Sequence, residues 1–158
     1  QISSREGSIL IFVKTKYGTE KLTKRLSKNS IKATALHGGL RQNKRTRIME
    51  NFRTEKIKIL VATDIASRGL DIPHIEHVIN FDLPQASEDF IHRIGRTARA
   101  GSVGEAVSFV TPNDARIWKS IERILNLPKE KNSDSMKTTV SSRKFKRRGF
   151  KRRGSKRR

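Results

Sequence analysis

The chain has 158 residues, with 36 Lys+Arg against 15 Asp+Glu and a formal net charge of +21. That length suits one ordinary domain plus a tail. An excess of cations that no fold requires points to a polyanionic partner, nucleic acid first and an anionic membrane second.

No cysteine is present, which excludes disulfides and thiolate metal sites. No apolar run is long enough to span a bilayer, and the start lacks the charged-then-apolar pattern of a signal peptide. The histidines, at positions 37, 74, 77 and 92, do not fall on a helical i, i+4 ligand spacing, so no metal site is expected. The chain opens on Gln1 without Met, which reads as a processed or excised piece.

Residues 1–7 are polar and read as a linker. Ser8-Ile9-Leu10-Ile11-Phe12-Val13 is a short apolar run, the mark of a strand buried on both faces. Leu22 and Leu26, set among basic residues, predict an amphipathic helix to about Lys28. Ala33 to Leu36 reads as a second strand closed by His37-Gly38-Gly39. A helix from about Arg41 to Phe52 follows, with Ile48, Met49 and Phe52 on its buried side. Ile57–Ala62 and His77–Phe81 are the third and fourth strands. Ser87 is the expected N-cap of the next helix, with Glu88 and Asp89 at the positive end of its dipole. Val103–Val110 is a further strand. Thr111-Pro112-Asn113-Asp114 opens a last helix, with Thr as cap and Pro at the first helical position. That helix carries an apolar stripe of Ile117, Trp118, Ile121, Ile124 and Leu125.

Strand and helix thus alternate about five times. The rhythm implies an α/β domain with a mostly parallel sheet of about five or six strands and helices on both faces. Ligands gather at the carboxyl ends of such strands, so Thr15, His37-Gly38-Gly39, Thr63-Asp64 and Asp82 are candidates for one rim.

From Lys129 the apolar pattern stops. Residues 129–158 carry +12 of the total +21, leaving +9 in the rest. Phe145-Lys-Arg-Arg-Gly149 and Phe150-Lys-Arg-Arg-Gly154 repeat a pentad. Like charge this dense cannot bury enough surface to offset ordering entropy, so a disordered basic tail is expected. Its arginines, with Phe145 and Phe150 to stack on bases, suit salt-dependent RNA binding. A localisation signal or a solubilising tail are the plain alternatives.

His92-Arg93-Ile94-Gly95-Arg96-Thr97-Ala98-Arg99-Ala100-Gly101 sets three arginines three residues apart. Read as a helix, it buries Ile91, Ile94 and Ala98 and aligns His92, Arg96 and Arg99 on another stripe. Fixed guanidinium forks suit phosphate oxygens; a solvated basic face is the alternative.

Four blocks, in order, carry a family resemblance. They are Ile9-Leu-Ile-Phe-Val-Lys-Thr15; Leu36-His-Gly-Gly-Leu40 with Gln42-x-x-Arg45; Val61-Ala-Thr-Asp-Ile-Ala-Ser-Arg-Gly-Leu-Asp-Ile-Pro73; and His92 to Gly101. Together they resemble the C-terminal RecA-like domain of a DEAD-box RNA helicase, bacterial-type, over about residues 8–127. The resemblance implies a linker at 1–7, a RecA-like domain at 8–128 and a basic RNA-binding tail at 129–158.

It also implies roles. Arg96 and Arg99 resemble the arginines that reach the γ-phosphate of ATP, where a fixed guanidinium stabilises charge spread over equatorial oxygens. His92 and Arg93 resemble residues coupling this helix to the first domain. Asp71 matches a ribose acceptor and Gly69 a close backbone approach to ligand. Thr15, Gly38, Gln42, Arg45, Thr63 and Asp64 match positions lining the single-strand RNA groove. That groove reads backbone and sugar rather than bases. Gly38 and Gly39 would let a backbone N–H approach a phosphate. In the tail, Phe145, Arg147, Arg148, Phe150, Arg152 and Arg153 are the expected RNA contacts. Ala98 departs from the family, where Gly is common.

No phosphate loop and no Asp-Glu-Ala-Asp motif occurs. ATP with Mg2+ is therefore expected to be held mainly by an N-terminal RecA-like domain, and this chain alone is expected to be inactive. RNA and that domain are the expected partners, with no membrane, in a cytoplasmic setting. A stand-alone basic RNA-binding or chaperone module and half of a DNA-directed helicase are the other readings.

Overall fold

The computed structural model describes residues 7–67, 75–97, 104–125 and 137–141. The first strand, β1 (Ile9–Phe12), is at most 1% exposed at every position. Such burial follows from an uninterrupted apolar run placed in the middle of a sheet. α1 (Lys16–Ser27) follows it and begins earlier than its leucines suggest. The start is set by Thr15, an extended residue whose hydroxyl accepts from the Gly18 N–H. An N-cap at Thr15 is the sequence signal that marks this start.

β2 (Thr34–Leu36), α2 (Gln42–Arg53), β3 (Ile59–Ala62) and the single turn α3 (Asp64–Ser67) come next. They lead to β4 (His77–Asn80), α4 (Ser87–Ile94) and β5 (Glu105–Phe109). A 3-10 turn at Pro112–Asp114 opens α5 (Ala115–Leu125). Thr111 caps that turn reciprocally with Asp114, as the local sequence requires. β6 (Lys137–Ser141) completes the chain of elements.

The six strands form one sheet in the order β2-β3-β1-β4-β5-β6, and every pairing is parallel. α2, α4 and α5 cover one face around Leu10, Phe12, Leu60, Val78, Phe90 and Ile121. α1 packs on the other around Ile9, Ile11, Val13, Val61 and Ile79. The expected α/β class, parallel sheet and two-sided helical cover are those observed.

Three local expectations are corrected. Ser87 is not the N-cap of α4; Ala86 holds that position with no side-chain hydrogen bond, and Ser87 is the first helical residue. The arginine motif does not continue as helix, because α4 stops at Ile94 with Gly95 at its C-cap. The 129–158 stretch is not uniformly without structure, since Lys137–Ser141 pairs with β5 from Glu105↔Lys137 to Phe109↔Ser141. Thr138, Thr139 and Val140 are β-branched, which suits a strand, and the charge count over the whole stretch hides that short run.

The strand order reverses at β1. The connection leaving β1 goes towards β2, whereas β3 connects across β1 to β4. This reversal opens a crevice beyond the carboxyl ends of β1, β3 and β4, where α/β sheets take their ligands.

Candidate functional site

The rim of that crevice is organised by one buried cation. Arg93, on the last turn of α4, is 2% exposed. Its Nε and Nη2 donate to the two carboxylate oxygens of Asp64 at 2.7 and 2.6 Å. Its Nη1 donates to Asn80 Oδ1 at 3.0 Å and to the Asp82 carbonyl at 2.7 Å. Its guanidinium carbon lies 4.8 Å from the centre of the Phe12 ring. Asn80 in turn donates to Ser108 Oγ at 3.0 Å, and the Lys14 N–H donates to Asp82 Oδ2 at 2.9 Å. One planar fork thus ties together β1, α3, β4, α4 and β5, a geometry a lysine cannot reproduce.

A second network shapes the loop after β2. His37 is buried, and its Nε2 lies 2.9 Å from Glu20 Oε1 on α1. Its Nδ1 accepts from the Gly39 N–H at 3.2 Å. An accepting Nδ1 fixes the proton on Nε2, which donates to Glu20. Gly39 therefore has its amide directed inward at His37. A Cβ on Gly38 would have nothing within 4 Å, so its surface faces open space outside the domain.

Between these networks lies an open cleft of about 640 Å³, lined by Lys14, Lys16, Gly38, Gly39, Thr63, Asp64, Ile65, Gln85 and Asp89. A smaller hollow adjoins it, lined by Phe12, Asp64, Ser67, Asp89, His92, Arg93 and Arg96. Asp64 and Asp89 belong to both, so cleft and hollow share a wall.

The expected site residues sort themselves accordingly. Gly38, Thr63 and Asp64 meet in the cleft, and Thr15 stands at its edge between Lys14 and Lys16, capping α1. Gln42 and Arg45 occupy the first turns of α2. Arg45 Nη1 donates to Gln42 Oε1 at 3.1 Å, and its Nε is buried with no hydrogen-bond partner among the described residues. His92 and Arg96 both line the smaller hollow. Arg96 sits on the turn after α4, where its N–H donates to the Arg93 carbonyl.

Two of the expected site residues are bound to each other within the domain. Arg93 is buried, with its guanidinium hydrogen-bonded to Asp64, Asn80 and the Asp82 carbonyl. Asp64, expected on the RNA side, directs both carboxylate oxygens at Arg93. Gly69, Asp71 and Arg99 lie outside the described residues, as do Phe145, Arg147, Arg148, Phe150, Arg152 and Arg153.

Sequence reasoning places His37 and Asp82 on the rim without a role, and it does not single out Glu20, Asn80, Lys14 or Lys16. For the two lysines a local signal exists, since they flank Thr15 at a strand end. The others are defined by partners far along the chain. Among the described residues no cluster of three or more His, Asp or Glu could hold a metal ion. No described helix is long and apolar enough to cross a membrane.

The lysines and carboxylates of the cleft thus gather at the switch point of a parallel α/β sheet, the place where such sheets take their ligands. Comparison with known proteins makes the class specific. The model of the helicase conserved C-terminal domain matches residues 2–101. The chain is 46% identical over 125 residues to the probable ATP-dependent RNA helicase ddx49 of Dictyostelium discoideum, covering 78% of this chain and 25% of that protein. It superposes on E. coli DEAD-box protein SrmB, solved bound to regulator of ribonuclease activity A. There the TM-score is 0.73 and the identity 32%, with 89% of this chain and 79% of the other covered. It also superposes on S. cerevisiae Dbp5, solved bound to RNA and ADP BeF3, with TM-score 0.72, 35% identity, and 85% and 34% covered.

The chain belongs to the DEAD-box helicases, as their C-terminal RecA-like domain. It spans about a quarter of the length of the curated relatives it matches.

Proposed function

We propose that this chain is the C-terminal half of an ATP-dependent RNA helicase that separates short RNA duplexes or remodels RNA–protein complexes. The observation that carries this reading is the shared wall between the cleft and the smaller hollow. A strand held against Lys14, Lys16, Gly38 and Thr63 would touch the same Asp64–Arg93 unit that sets the position of His92 and Arg96. Ligands in the two places would therefore sense one another through a rigid, fully hydrogen-bonded element.

On the RNA side, the open surface of Gly38 admits a phosphate and the hydroxyls of Thr15 and Thr63 suit sugar and phosphate oxygens. The buried, unpaired Nε of Arg45 is a donor that a bound phosphate would satisfy. Gln42 holds that guanidinium in place. Such a groove reads the backbone, so weak sequence preference is expected.

On the nucleotide side, Arg96 lines the hollow, and Arg99 follows three residues later. We assign them to the phosphates of ATP with Mg2+, the bulk of which an N-terminal domain would hold, with Gly69 and Asp71 at the nucleoside. Mg2+ and nucleotide together supply the phosphoryl chemistry; the arginines contribute charge stabilisation. In this scheme Arg93 keeps Arg96 in register and does not touch the nucleotide. The tail residues Phe145, Arg147, Arg148, Phe150, Arg152 and Arg153 add affinity for RNA. The reading places the protein in the cytoplasm, with RNA and the N-terminal domain as partners.

The test is RNA-stimulated ATPase of the full-length protein with Arg96→Ala and Arg99→Ala beside wild type. Loss of on the order of 10³-fold in turnover is expected for removal of a guanidinium that stabilises the transition state. Unchanged turnover in both variants would remove this assignment, and turnover by residues 1–158 alone would remove the division of labour.

A further inference from the structure

The crossovers of this fold cover one face of the sheet generously and the other sparsely. We infer that the apolar groove beside α1, over β4 and β5, docks an acidic amphipathic helix of a protein partner, at a surface separate from the cleft.

Topology dictates the shortage. Connections between parallel strands are right-handed, so the direction of each step along the sheet selects the face its helix covers. The step from β1 to β2 runs one way, and every later step, from β2 through β3, β4 and β5 to β6, runs the other. Among the described residues α1 is therefore alone on its face, while α2, α4 and α5 share the opposite one. A parallel sheet is stable with both faces covered, and on the α1 side the described helical cover ends beside β1.

What remains is a groove of about 550 Å³. Ile11, Ile79, Phe81 and Phe109 form its floor, and Leu22 and Leu26 of α1 form its wall. Phe81 is 42% exposed, although its ring meets that of Phe109 edge-on at 6.1 Å between centroids. An aromatic ring left open on an apolar floor is the kind of anchor that interfaces bury. The wall from Leu22 to Asn29 spans two turns of helix, about 10 Å. The groove lies on the face of the sheet rather than at its hydrogen-bonding edge. Its occupant is therefore a helix with apolar residues at i, i+3 or i+4, and i+7, and not an added strand.

The rim sets the sign of that helix. Arg25 lines the groove, and Lys21 and Lys28, four residues before it and three after, are exposed on the same side of α1. Glu20 is the acid of α1, and it is turned away to His37. Glu105, at the opposite end of the floor strand β5 from Phe109, faces His77 at 3.6 Å. Carboxylates flanking an apolar stripe complement this arrangement, and like charges would be rejected by it. Residues 142–158 of the chain itself contain no Asp or Glu, so they have the wrong sign for this rim. The groove and the cleft share no lining residue, which lets a partner sit here while the cleft is filled.

The experiment titrates the 158-residue chain at moderate salt into a labelled peptide of about fifteen residues, long enough to form a helix. The peptide carries a Leu and Phe stripe at helical spacing, with Glu and Asp at its other positions. Saturable binding is expected by fluorescence anisotropy, with methyl NMR shifts centred on Leu22, Leu26 and Ile79. Phe81→Ser and Arg25→Glu should each weaken binding about tenfold, as for hot-spot residues. Arg25→Glu changes an exposed charge and keeps the test decisive where Phe81→Ser does not fold. Lys44→Glu, the same reversal on α2, should leave affinity unaltered. Equal binding of a shuffled peptide of the same composition, or equal loss with Lys44→Glu, would reduce the effect to bulk charge and overturn the inference. Equal binding of a peptide with Lys in place of its acids would do the same. Self-association of the chain that Phe81→Ser abolishes would assign the groove to a second copy. Loss of binding in the full-length protein would assign it to another part of the same polypeptide, and either result refutes a partner helix.

Discussion

Arg93 and Asp64 face each other as a two-pronged pair, at 2.7 and 2.6 Å, although they lie 29 residues apart in sequence. The arginine is 2% exposed and the aspartate side chain 30%. The cation is therefore buried and the anion reaches the cleft. The pair joins a residue of the cleft wall to α4, which bears His92 on its last turn and is followed on the next turn by Arg96.

Removing either partner should cost stability before it costs chemistry. Arg93→Ala leaves Asn80, Asp82 and Asp64 without their donor. A loss of about 2–4 kcal/mol is expected, towards the lower part of the range for breaking a buried pair because Asp64 can hydrate. The melting temperature should fall by on the order of 10 °C. Arg93→Lys should recover little, since an ammonium cannot serve both carboxylate oxygens and Asn80 together. Thermal melts of the two variants decide this; wild-type melting of Arg93→Ala would refute the structural role.

The loop after β2 offers a cleaner separation of fold from function. Gly38→Ala should leave stability within about 0.5 kcal/mol, because its Cβ would meet nothing within 4 Å. It should nonetheless weaken RNA binding severalfold by filling space at the cleft. Anisotropy titration beside a urea melt measures both, and unchanged RNA affinity would show that the open surface at Gly38 is unused.

Gly18 is the contrasting case. A Cβ there would lie 2.7 Å from Val13 Cγ1 and 3.0 Å from Thr15 Oγ1. Alanine is the better helix former by up to about 1 kcal/mol, yet overpacking costs about 1–3 kcal/mol. The expected outcome of Gly18→Ala is net destabilisation of about 1 kcal/mol, read from the urea midpoint. Net stabilisation would mean that the α1 N-terminus relaxes freely.

His37→Ala removes the acceptor for Gly39 and the donor to Glu20. A loss of about 1–3 kcal/mol is expected, as for other buried hydrogen-bonding groups left unpaired, with weaker RNA binding because the loop is no longer held. Glu20→Gln should change stability by less than about 1 kcal/mol, since Glu20 is 46% exposed and its carboxamide oxygen still accepts. Equal effects of the two variants in chemical denaturation would show that the hydrogen bond to Glu20, not the hold on the loop, is what His37 contributes.

Local features of the fold were legible without coordinates. Ile9–Phe12 reads as a buried strand because no polar residue interrupts it, and Thr111 with Pro112 and Asp114 reads as a helix start because capping is settled within four residues. The motif blocks likewise placed Gly38, Thr63 and Asp64 together in the cleft. Misreadings arose where a local rule met a tertiary demand. The periodicity of Ile91, Ile94 and Ala98 suggests one continuous helix, but the chain leaves helical geometry at Gly95. Thr97 is then buried, with its hydroxyl donating to the Glu76 carbonyl beside the start of β4.

By itself, then, the sequence determined the alternation of elements, the buried faces of its strands and helices, the concentration of charge at the end, and the family to which the chain belongs. The first three depend on composition or on spacing over a few residues, and the last on the resemblance that four motif blocks carry in order. Only the tertiary structure decided that Arg93 is a buried tie, that the Gly39 amide turns inward, and that Lys137–Ser141 adds a parallel strand beside β5. Each of those outcomes hangs on a partner that sequence distance conceals: Asp64, 29 residues from Arg93; Glu20, 17 residues from His37; and the open edge of β5. An arginine has the same intrinsic charge in either setting, and what it does follows from which acceptors the folded sheet carries to it.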